Sequence, residues 1–435
     1  MKRIGKQSPS RVGFADLYLE RYGSGPLEIL PKPDPDLFLI VTIPAFKEPD
    51  LSSSLLSLIS CDPPGVKWEI LININYPENS DETVVVISQQ SLTACQQLSK
   101  SLNRDDLQIH CLWNPDMPRR HAGVGLARKK AMDQAIYRFN TIGQPNGVIV
   151  SFDADSRCDK GYLRSIANFY LQNPGVRTAN IYYEHPLHGD LPPGYYHSIT
   201  QYELYLRYMR LAIETTGHPY SIHTVGSSFS TRAKTYIRVN GMGCYKAGED
   251  FYFLHKCIQL KNFWEINDTT VRPSVRESDR VSFGTGASIT RLQSEVNLAV
   301  YNLDSFSPIR ELFRQIGSFW RMEDKELQSF GEWESISEGL AEFMTNQGAL
   351  NKIQEMRCYS ASEQTFCDKF FGWFNGFMIL RYLNEVHKHT YVKMPVLEEA
   401  LRLALILGID SGESAGDLLE NYRDYEKGRG NRRII

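Results

Sequence analysis

The sequence predicts an α/β fold, in which a mostly parallel sheet is flanked by helices and followed by an α-helical C-terminal extension. Short apolar runs rich in β-branched and aromatic residues alternate with stretches of helical periodicity between residues 37 and 291. Strands that alternate with helices at this spacing are typical of βαβ units. From residue 292 onward glycines become rarer and helical periodicity dominates. We therefore expect an N-terminal leader at 1–36, an α/β domain at 37–291 and a helical region at 292–435.

Four strands are predicted in the first half of the α/β domain, at residues 37–43, 68–74, 107–113 and 148–152. Two more are expected near residues 176–183 and 221–230, on either side of an aromatic helix at 195–214. In the C-terminal region the periodicity indicates helices at 335–344, 366–387 and 396–407, and we expect no strand there.

The composition excludes several classes of protein. The chain has 435 residues, of which 42% are hydrophobic and 23% are charged, as is ordinary for a globular protein with a sizeable core. A net charge of −3 without a long Lys/Arg run argues against nucleic acid as the main partner. The basic tail at 427–433 is interpreted as a frayed end, with peripheral contact to a membrane surface as the alternative.

The cysteines and the apolar stretches bear on the cellular compartment. Eight cysteines are scattered without a Cys-x-x-Cys pair, which disfavours both a zinc site and a disulfide scaffold and suits a reducing cytoplasm. No apolar stretch follows the basic N-terminus, so we expect no signal peptide. The most apolar segment, at 370–383, contains Asn375 and Arg381 and is too short to cross a membrane. A cytoplasmic location follows as an expectation.

The most informative segment is the end of the fourth predicted strand, where an apolar run stops in Asp153-Ala154-Asp155. Ligands of open α/β sheets bind at the carboxyl ends of the strands. Two acids that flank one residue can face a single divalent ion, and hard oxygen ligands suit Mn²⁺ or Mg²⁺, which usually hold a phosphate as well. The alternative is a pair of solvated turn acids.

A second candidate lies at residues 119–130, where glycines and cations, Arg128 among them, stand at the start of a helix. Exposed backbone N–H groups and the positive end of a helix favour a diphosphate. A surface helix with a basic face would have much the same sequence.

A third candidate is the pair of acids Glu249 and Asp250 at the start of another helix. They indicate a general base positioned by a rigid helix end, and capping of the helix dipole is the alternative. Before them, Gly226 and Ser227 are small residues that would let a ligand approach the backbone. After them, a loop at 272–286 that includes Arg280 could close on phosphates, unless it is simply a solvated loop.

Taken in order, these motifs resemble those of family 2 glycosyltransferases, which have the GT-A fold. The likeness spans residues 37–286, and no phosphate-loop, nucleophile-elbow or His-Glu-x-x-His motif competes with it. The matching segments are Ile43-Pro44-Ala45-Phe46-Lys47-Glu48, residues 79–83, residues 125–130, Asp153-Ala154-Asp155, residues 226–232 with Asn240-Gly241, and Gly248-Glu249-Asp250.

The resemblance implies a nucleotide-sugar donor and a hydroxyl acceptor, which could be a saccharide, a lipid or a small molecule. It implies that Arg128 approaches the diphosphate of the donor. The base and ribose of the nucleotide would lie near Pro44, Ala45, Glu48 and Asn75.

The resemblance also implies the chemistry. Asp155 would bind Mn²⁺ or Mg²⁺ directly, Asp153 would contact the ribose or the metal, and Asp250 would deprotonate the acceptor hydroxyl. The metal would neutralise the charge that builds on the leaving diphosphate. A single displacement of this kind inverts the anomeric centre.

Some features depart from the family pattern. Asn73 and Asn75 stand where many members have aspartates that read the base, so the nucleotide stays open. The Gln-x-x-Arg-Trp motif and the membrane helices of processive synthases are absent from the sequence, which predicts transfer of a single sugar by a hexosyltransferase. The 272–286 loop is similar to one that some retaining enzymes place over the diphosphate, so a retaining outcome remains an alternative.

Two other functions compete with glycosyl transfer. A nucleotidyltransferase would carry a glycine-rich loop after the first strand, and residues 44–49 contain no glycine. An inactive module that binds a nucleotide-sugar is disfavoured because both acidic motifs are intact. The C-terminal helices are interpreted as a packed extension, or as a homodimer or acceptor surface marked by the aromatic residues Phe370, Phe371, Trp373, Phe374 and Phe377.

Overall fold

A computed structural model describes residues 13–29, 31–276, 285–292, 297–323, 325–327 and 336–435. The chain divides into two compact units, each assembled from separate segments. Unit 1 comprises Met1–Tyr183, Thr224–Cys257 and Asp268–Pro273, and unit 2 comprises Glu184–His223, Ile258–Asn267 and Ser274–Ile435. The units are therefore interleaved along the sequence, and the predicted division at residues 37 and 292 into three consecutive parts stays a prediction.

The strands and helices are numbered in chain order. The strands are β1 (Leu37–Ala45), β2 (Lys67–Pro77), β3 (Leu107–Met117), β4 (Val148–Ser151), β5 (Arg157–Cys158), β6 (Thr178–Tyr183), β7 (Phe229–Arg232), β8 (Phe263–Arg272), β9 (Ala299–Val300), β10 (Met394–Pro395) and β11 (Arg432–Arg433). The first eight helices are α1 (Asp16–Tyr22), α2 (Leu51–Ile59), α3 (Glu82–Ser101), α4 (Val124–Thr141), α5 (Tyr162–Gln172), α6 (Pro193–Thr215), α7 (Ala233–Arg238) and α8 (Glu249–Ile258). The others are α9 (Thr285–Leu292), α10 (Ser307–Phe319), α11 (Glu338–Asn346), α12 (Ala349–Cys358), α13 (Glu363–Trp373), α14 (Gly376–His389), α15 (Val396–Leu407) and α16 (Ala415–Gly428).

Unit 1 is built on a sheet in which the strands follow the order β6-β7-β4-β1-β2-β3, and β5 pairs with Val271 and Arg272 at the end of β8. Strands β4, β1, β2 and β3 run parallel, whereas β7 is antiparallel to β4 and β6. Helix α4 packs against β1 and β2, and α3 packs against β2 and β3. The predicted α/β class and the first four predicted strands are confirmed, and the parallel half of the sheet carries the candidate motifs.

The register of the sheet places the ends of three strands at one edge. Thr42 of β1 pairs with Ser151 at the end of β4, and Ala45 at the end of β1 pairs with Ile74 of β2. Residues 148–150 have no exposed surface, which accounts for their continuous apolar character. Polar residues that follow these strands therefore meet at the carboxyl edge of the sheet.

The leader is fastened to unit 1 by the buried carboxylate of Asp133 in α4. This carboxylate accepts hydrogen bonds from the hydroxyl of Tyr18 in α1 at 2.8 Å and from the hydroxyl of Tyr236 in α7 at 2.9 Å. The backbone N–H of Ser24 and the ammonium group of Lys129 also donate to Asp133, at 2.7 and 2.9 Å. Because Asp133 is fully buried, these four donors are needed to offset its desolvation.

Unit 2 packs α6 together with the C-terminal helices around one apolar core, as expected for a helical C-terminal region. Helix α15 coincides with the predicted helix at 396–407. The predicted helix at 366–387 is instead two helices, because the side chain of Asn375 accepts hydrogen bonds from the N–H groups of Phe377 and Met378 and caps α14. The two-residue strands β9, β10 and β11 correct the expectation that this region contains no strand.

The basic tail of the chain is held in place, which corrects the prediction of a frayed end. Strand β11 pairs with residues 264–265 of β8, and Arg432 Nε lies 2.6 Å from Glu265 Oε2. Arg429 forms an ion pair with Glu214. Peripheral contact with a membrane stays a prediction. Over the residues that the structure describes, every helix is too short or too polar to cross a membrane.

The aromatic run of the C-terminal region lies largely inside unit 2. Phe370 and Phe374 have no exposed surface, and their rings stack with centroids 5.9 Å apart. Phe371 and Trp373 are half-buried, and Phe377 is exposed. Most of the run is therefore core, and a homodimer through these helices stays a prediction.

Candidate active site

The site is organised around the guanidinium group of Arg128 in unit 1. Its Nε donates to Glu249 Oε1 at 3.0 Å, and its Nη2 donates to Asp153 Oδ1 at 2.9 Å. Its Nη1 donates to Gly226 O at 3.0 Å and to Ser151 Oγ at 2.5 Å. The side chain of Arg128 is only 2% exposed. One buried cation therefore joins Asp153, Gly226 and Glu249, which come from three separate motif segments.

Ser151, the last residue of β4, is a site residue that sequence reasoning missed. Its hydroxyl accepts from Arg128 and donates to Gly226 O at 2.7 Å. Ser151 is fully buried, and β4 places it two residues before Asp153. A hydroxyl that ends a completely buried apolar strand is the signal that could have identified it.

Gly226 is required by the close approach of Arg128. A Cβ atom at this position would lie 2.6 Å from Arg128 Nη2 and 3.4 Å from Asp250 Oδ2. The neighbouring Ser227 is fully buried. The absent side chain at Gly226 thus makes room for the guanidinium group, and a ligand contact at Ser227 or Gly226 stays a prediction.

Asp250 stands beside Gly226 at the start of α8. Its Oδ1 accepts a hydrogen bond from the N–H of Phe251 at 2.7 Å. Burial first, and then the adjacent Glu249 carboxylate, raise the pKa of Asp250 to about 7, although Arg128 acts in the opposite direction. A carboxyl group with this pKa exchanges its proton near neutrality, as a general base must.

The carboxylates of Asp153, Glu249 and Asp250 also act on Arg128. Burial alone lowers the pKa of Arg128, but these three acids overcome that effect and raise its pKa above the ordinary value. The guanidinium is therefore permanently charged, and it is already occupied by protein partners. Its predicted contact with a diphosphate stays a prediction.

Asp153 and Asp155 follow β4 in a turn, and both are half-buried. Ser54 of α2, which sequence reasoning also missed, donates one hydroxyl towards two carbonyls of this turn: Ser156 O at 2.8 Å and Asp153 O at 3.3 Å. Among the described residues, no three His, Cys, Asp or Glu side chains group together as a complete metal site.

The glycines at the start of α4 lie in close backbone contact with the segment before α8, and the diphosphate contact expected of this helix start stays a prediction. The N–H of Gly125 donates to Tyr245 O at 3.2 Å and is therefore already satisfied. A Cβ atom at Gly123 would lie 2.7 Å from Lys246 Cα, and one at Gly125 would lie 2.2 Å from Tyr245 O. Both glycines let the backbone before α8 approach α4 closely.

The residues expected near the nucleoside meet at the carboxyl ends of β1 and β2. Asn75 Nδ2 donates to Ala45 O at 3.2 Å and to Asn73 O at 3.0 Å, which ties the two strand ends together. Pro44 is half-buried, and Ala45 and Glu48 are each 2% exposed. The structure thus brings Pro44, Ala45 and Asn75 together, and their nucleotide contacts stay a prediction. Arg280, assigned to the donor or acceptor loop, lies outside the described residues.

Comparisons with known proteins give only distant likenesses. No family model matches the chain, and no curated protein matches it. Among solved structures, TarS 1–349 of S. aureus shares 13% identity over 82% of this chain and 93% of that chain, with a TM-score of 0.38. The same fragment in complex with UDP-GlcNAc gives 14% identity, the same coverage and a TM-score of 0.38. The mannosyltransferase PcManGT from Pyrobaculum calidifontis, in complex with GDP-Man and Mn²⁺, shares 12% identity over 83% of this chain and 94% of that chain, with a TM-score of 0.36. At these values the likeness assigns neither a family nor an activity to this chain.

Proposed function

We propose that this protein is a glycosyltransferase of the GT-A fold that moves one sugar from a nucleotide-sugar donor to a hydroxyl acceptor. The observation that carries this proposal is the convergence on Arg128 of segments from three distant motifs: Asp153, Gly226 and Glu249. These motifs occur in the chain in the order of family 2 glycosyltransferases. Their meeting at the carboxyl edge of the parallel strands, where α/β folds bind ligands, supports one shared site.

Asp250 is the proposed general base. The acceptor hydroxyl must lose its proton as it attacks the anomeric carbon, and a carboxylate with a pKa of about 7 can take that proton near neutrality. Direct displacement would invert the anomeric centre. The alternative of retention is distinguished by the anomer of the product, which NMR reports directly.

Glu249 and Arg128 are proposed to position the site. Glu249 is 2% exposed and its carboxylate binds Arg128, so it is poorly placed to exchange a proton with an acceptor. Arg128 in turn fixes the carboxylate of Asp153 and the backbone at Gly226. We therefore propose that Arg128 holds these groups in register, beside the diphosphate contact that the resemblance implies for it.

The carboxylates that follow β4 are suitable ligands for a divalent ion that binds together with the nucleotide. Asp155 and Asp153 offer carboxylate oxygens, and Mg²⁺ is commonly held by one or two carboxylates together with substrate phosphates. Because Asp153 also binds Arg128, Asp155 is the proposed direct ligand and Asp153 the contact to the ribose or metal. When bound, Mn²⁺ or Mg²⁺ would act as a Lewis acid on the leaving diphosphate. The nucleoside is assigned to Pro44, Ala45, Glu48 and Asn75, at the carboxyl ends of β1 and β2.

The proposal is tested by separating donor binding from turnover. Melting temperatures of the full chain are measured with nucleoside diphosphates, with and without Mn²⁺, and sugar release is measured from a panel of nucleotide-sugars. We expect one diphosphate to raise the melting temperature only with Mn²⁺, since ligand linkage stabilises the folded state. Asp155→Asn should lose this shift, whereas Asp250→Asn should keep the shift and lose turnover.

Asp105→Asn is the matched control, because Asp105 is exposed and lies in the loop before β3. It should behave like the wild type in both assays. Absence of both nucleotide binding and sugar release across the panel would refute the proposal. Binding without turnover towards any acceptor or water would instead support the inactive nucleotide-sugar-binding module.

A further inference from the structure

Helix α2 and the segment that follows Asp155 are joined along a seam of small polar side chains. Ser57 Oγ accepts a hydrogen bond from Cys158 N at 3.0 Å and lies 3.5 Å from Cys158 Sγ. Further along, the N–H of Asp62 donates to Lys160 O at 2.8 Å. The hydroxyl of Ser54 holds the turn itself through Ser156 O. The backbone on both sides of the seam is therefore fixed by hydrogen bonds.

Two thiols face each other across this seam. Cys61 Sγ lies 3.6 Å from Cys158 Sγ, although the two residues are 97 positions apart in the sequence. Cys61 is 5% exposed, Cys158 is half-buried, and both are free thiols. Disulfide sulfurs are separated by about 2.05 Å, so a shift of about 1.5 Å would join this pair.

We propose that Cys61 and Cys158 form a redox modification site, in which a hydroperoxide such as H₂O₂ converts the two thiols into a disulfide that weakens nucleotide binding at the neighbouring Asp155 turn. The site itself is independent of the proposed function, and the effect on nucleotide binding rests on it.

The chemistry needs one peroxide and balances without another reagent. The Cys61 thiolate attacks one peroxide oxygen, so that the O–O bond breaks, hydroxide leaves and a sulfenic acid forms. The Cys158 sulfur then attacks the Cys61 sulfur, the S–O bond breaks and water leaves with the thiol proton. Two thiols have lost two electrons, and the peroxide has become two molecules of water.

Either thiol could react first, because the two sulfurs share one hydrogen bond, and Cys61 is the one that this bond favours. The hydrogen bond with Cys158 lowers the pKa of Cys61 and raises the pKa of Cys158. A thiolate is the reactive form, so the sulfur with the lower pKa is the one that meets the oxidant. Cys158 then acts as the resolving thiol.

The disulfide would act on the candidate site through the short backbone segment that connects Asp155 to Cys158. Cys158 lies three residues after Asp155, and the intervening turn is held to α2 by Ser54. Drawing Cys158 towards α2 therefore moves the turn that carries Asp153 and Asp155. The carboxylate oxygens of these residues would then no longer meet the bound ion at its short ligand distances, so a measurable loss of nucleotide binding is expected.

The first experiment maps the crosslink. The purified full chain is treated with H₂O₂, free thiols are alkylated, and non-reduced peptides are analysed by mass spectrometry. We expect linked peptides that contain Cys61 and Cys158 and that disappear after dithiothreitol. Either Cys61→Ser or Cys158→Ser should abolish the linked peptides. The double variant Cys95→Ser, Cys111→Ser is the control, because it removes the other hydrogen-bonded thiol pair and should leave the crosslink intact.

The second experiment measures the dissociation constant of UDP with Mn²⁺ by calorimetry, before and after oxidation. Binding should weaken at least tenfold on oxidation and recover after reduction, whereas Cys61→Ser should show no response to peroxide. Absence of the Cys61–Cys158 peptide, or equal UDP affinity of the reduced and crosslinked forms, would overturn the inference. If the reduced protein binds neither UDP nor any other nucleoside diphosphate, the proposed function fails, and the peptide map still decides the modification.

Discussion

Arg128 and Glu249 form a buried ion pair with 3.0 Å between Nε and Oε1, although 121 residues separate them in the sequence. Their side chains are 2% and 3% exposed. A buried charge without a partner is far more costly than one in water. The same ion pair therefore contributes both to the stability of unit 1 and to the geometry of the site. Replacing Arg128 tests the contribution to stability.

Arg128→Gln should destabilise the protein by about 3–5 kcal/mol, because it leaves the carboxylates of Asp153 and Glu249 without their buried cation. The free energy of unfolding, from urea titration, is the measurement. Arg120→Gln is the control, because Arg120 is exposed before α4 and its replacement should change the free energy by less than about 0.5 kcal/mol. Equal losses for the two variants would show that the Arg128 cluster is not a stabilising element.

The pH dependence of turnover follows from the carboxyl group of Asp250. Because its pKa is raised to about 7, the basic form is depleted below that pH. We expect kcat/KM to fall about tenfold per pH unit on the acid side and to level off above neutrality. Asp250→Asn should lose at least about 100-fold in kcat above neutrality, and its residual rate should lack this acid-side fall. A flat profile between pH 5 and pH 8 in the wild type would argue against Asp250 as the base.

The same group makes stability depend on pH. The folded protein holds the proton of Asp250 more tightly than the unfolded chain does, so its contribution to stability is complete below about pH 4 and is lost as the pH rises through about 7. Asp250→Asn stays neutral throughout. We therefore expect the free energy of unfolding of the variant to improve relative to the wild type between pH 5 and pH 8. A difference that is constant with pH would contradict the raised pKa.

Gly226→Ala should disturb the site by sterics alone. The new Cβ atom would meet Arg128 Nη2 at 2.6 Å, and the guanidinium is held on every side by hydrogen bonds. We expect a loss of about 1–3 kcal/mol in stability, measured by urea titration, and a matching loss of turnover. Gly175→Ala is the control in the same unit, because a Cβ atom there meets nothing within 4 Å. If Gly226→Ala behaves like the control, the site tolerates more movement than its contacts imply.

The sequence predicted those features that depend on local pattern. The continuous apolar run at 148–150 identified β4 because a strand buried on both faces needs no alternation. Helix α15 was predicted to the residue, since its apolar periodicity is uninterrupted. The break at Asn375 was missed, although an Asn-Gly pair inside a helical stretch is a turn signal that was available.

Features that depend on contacts between distant parts of the chain could not be predicted from local sequence patterns. Only the fold shows that the glycines at 123 and 125 lie against the backbone at 245–246. The hydrogen bonds of Arg128 with Asp153 and Glu249 could not be predicted either, because these partners are distant in the sequence. The interleaving of the two units had no local signal either. It depends on which distant segments of the chain pack together in each unit.

This interleaving has a practical consequence for any shortened form of the protein. Helix α6 stands in the middle of the sequence, yet its buried residues Leu204, Tyr208 and Leu211 share one apolar core with Phe306, Leu312 and Leu403. A chain that stops before residue 292 would present that apolar face to water and should aggregate upon expression. The C-terminal helical region and α6 therefore have to be kept together in any shortened or chimeric form of the protein.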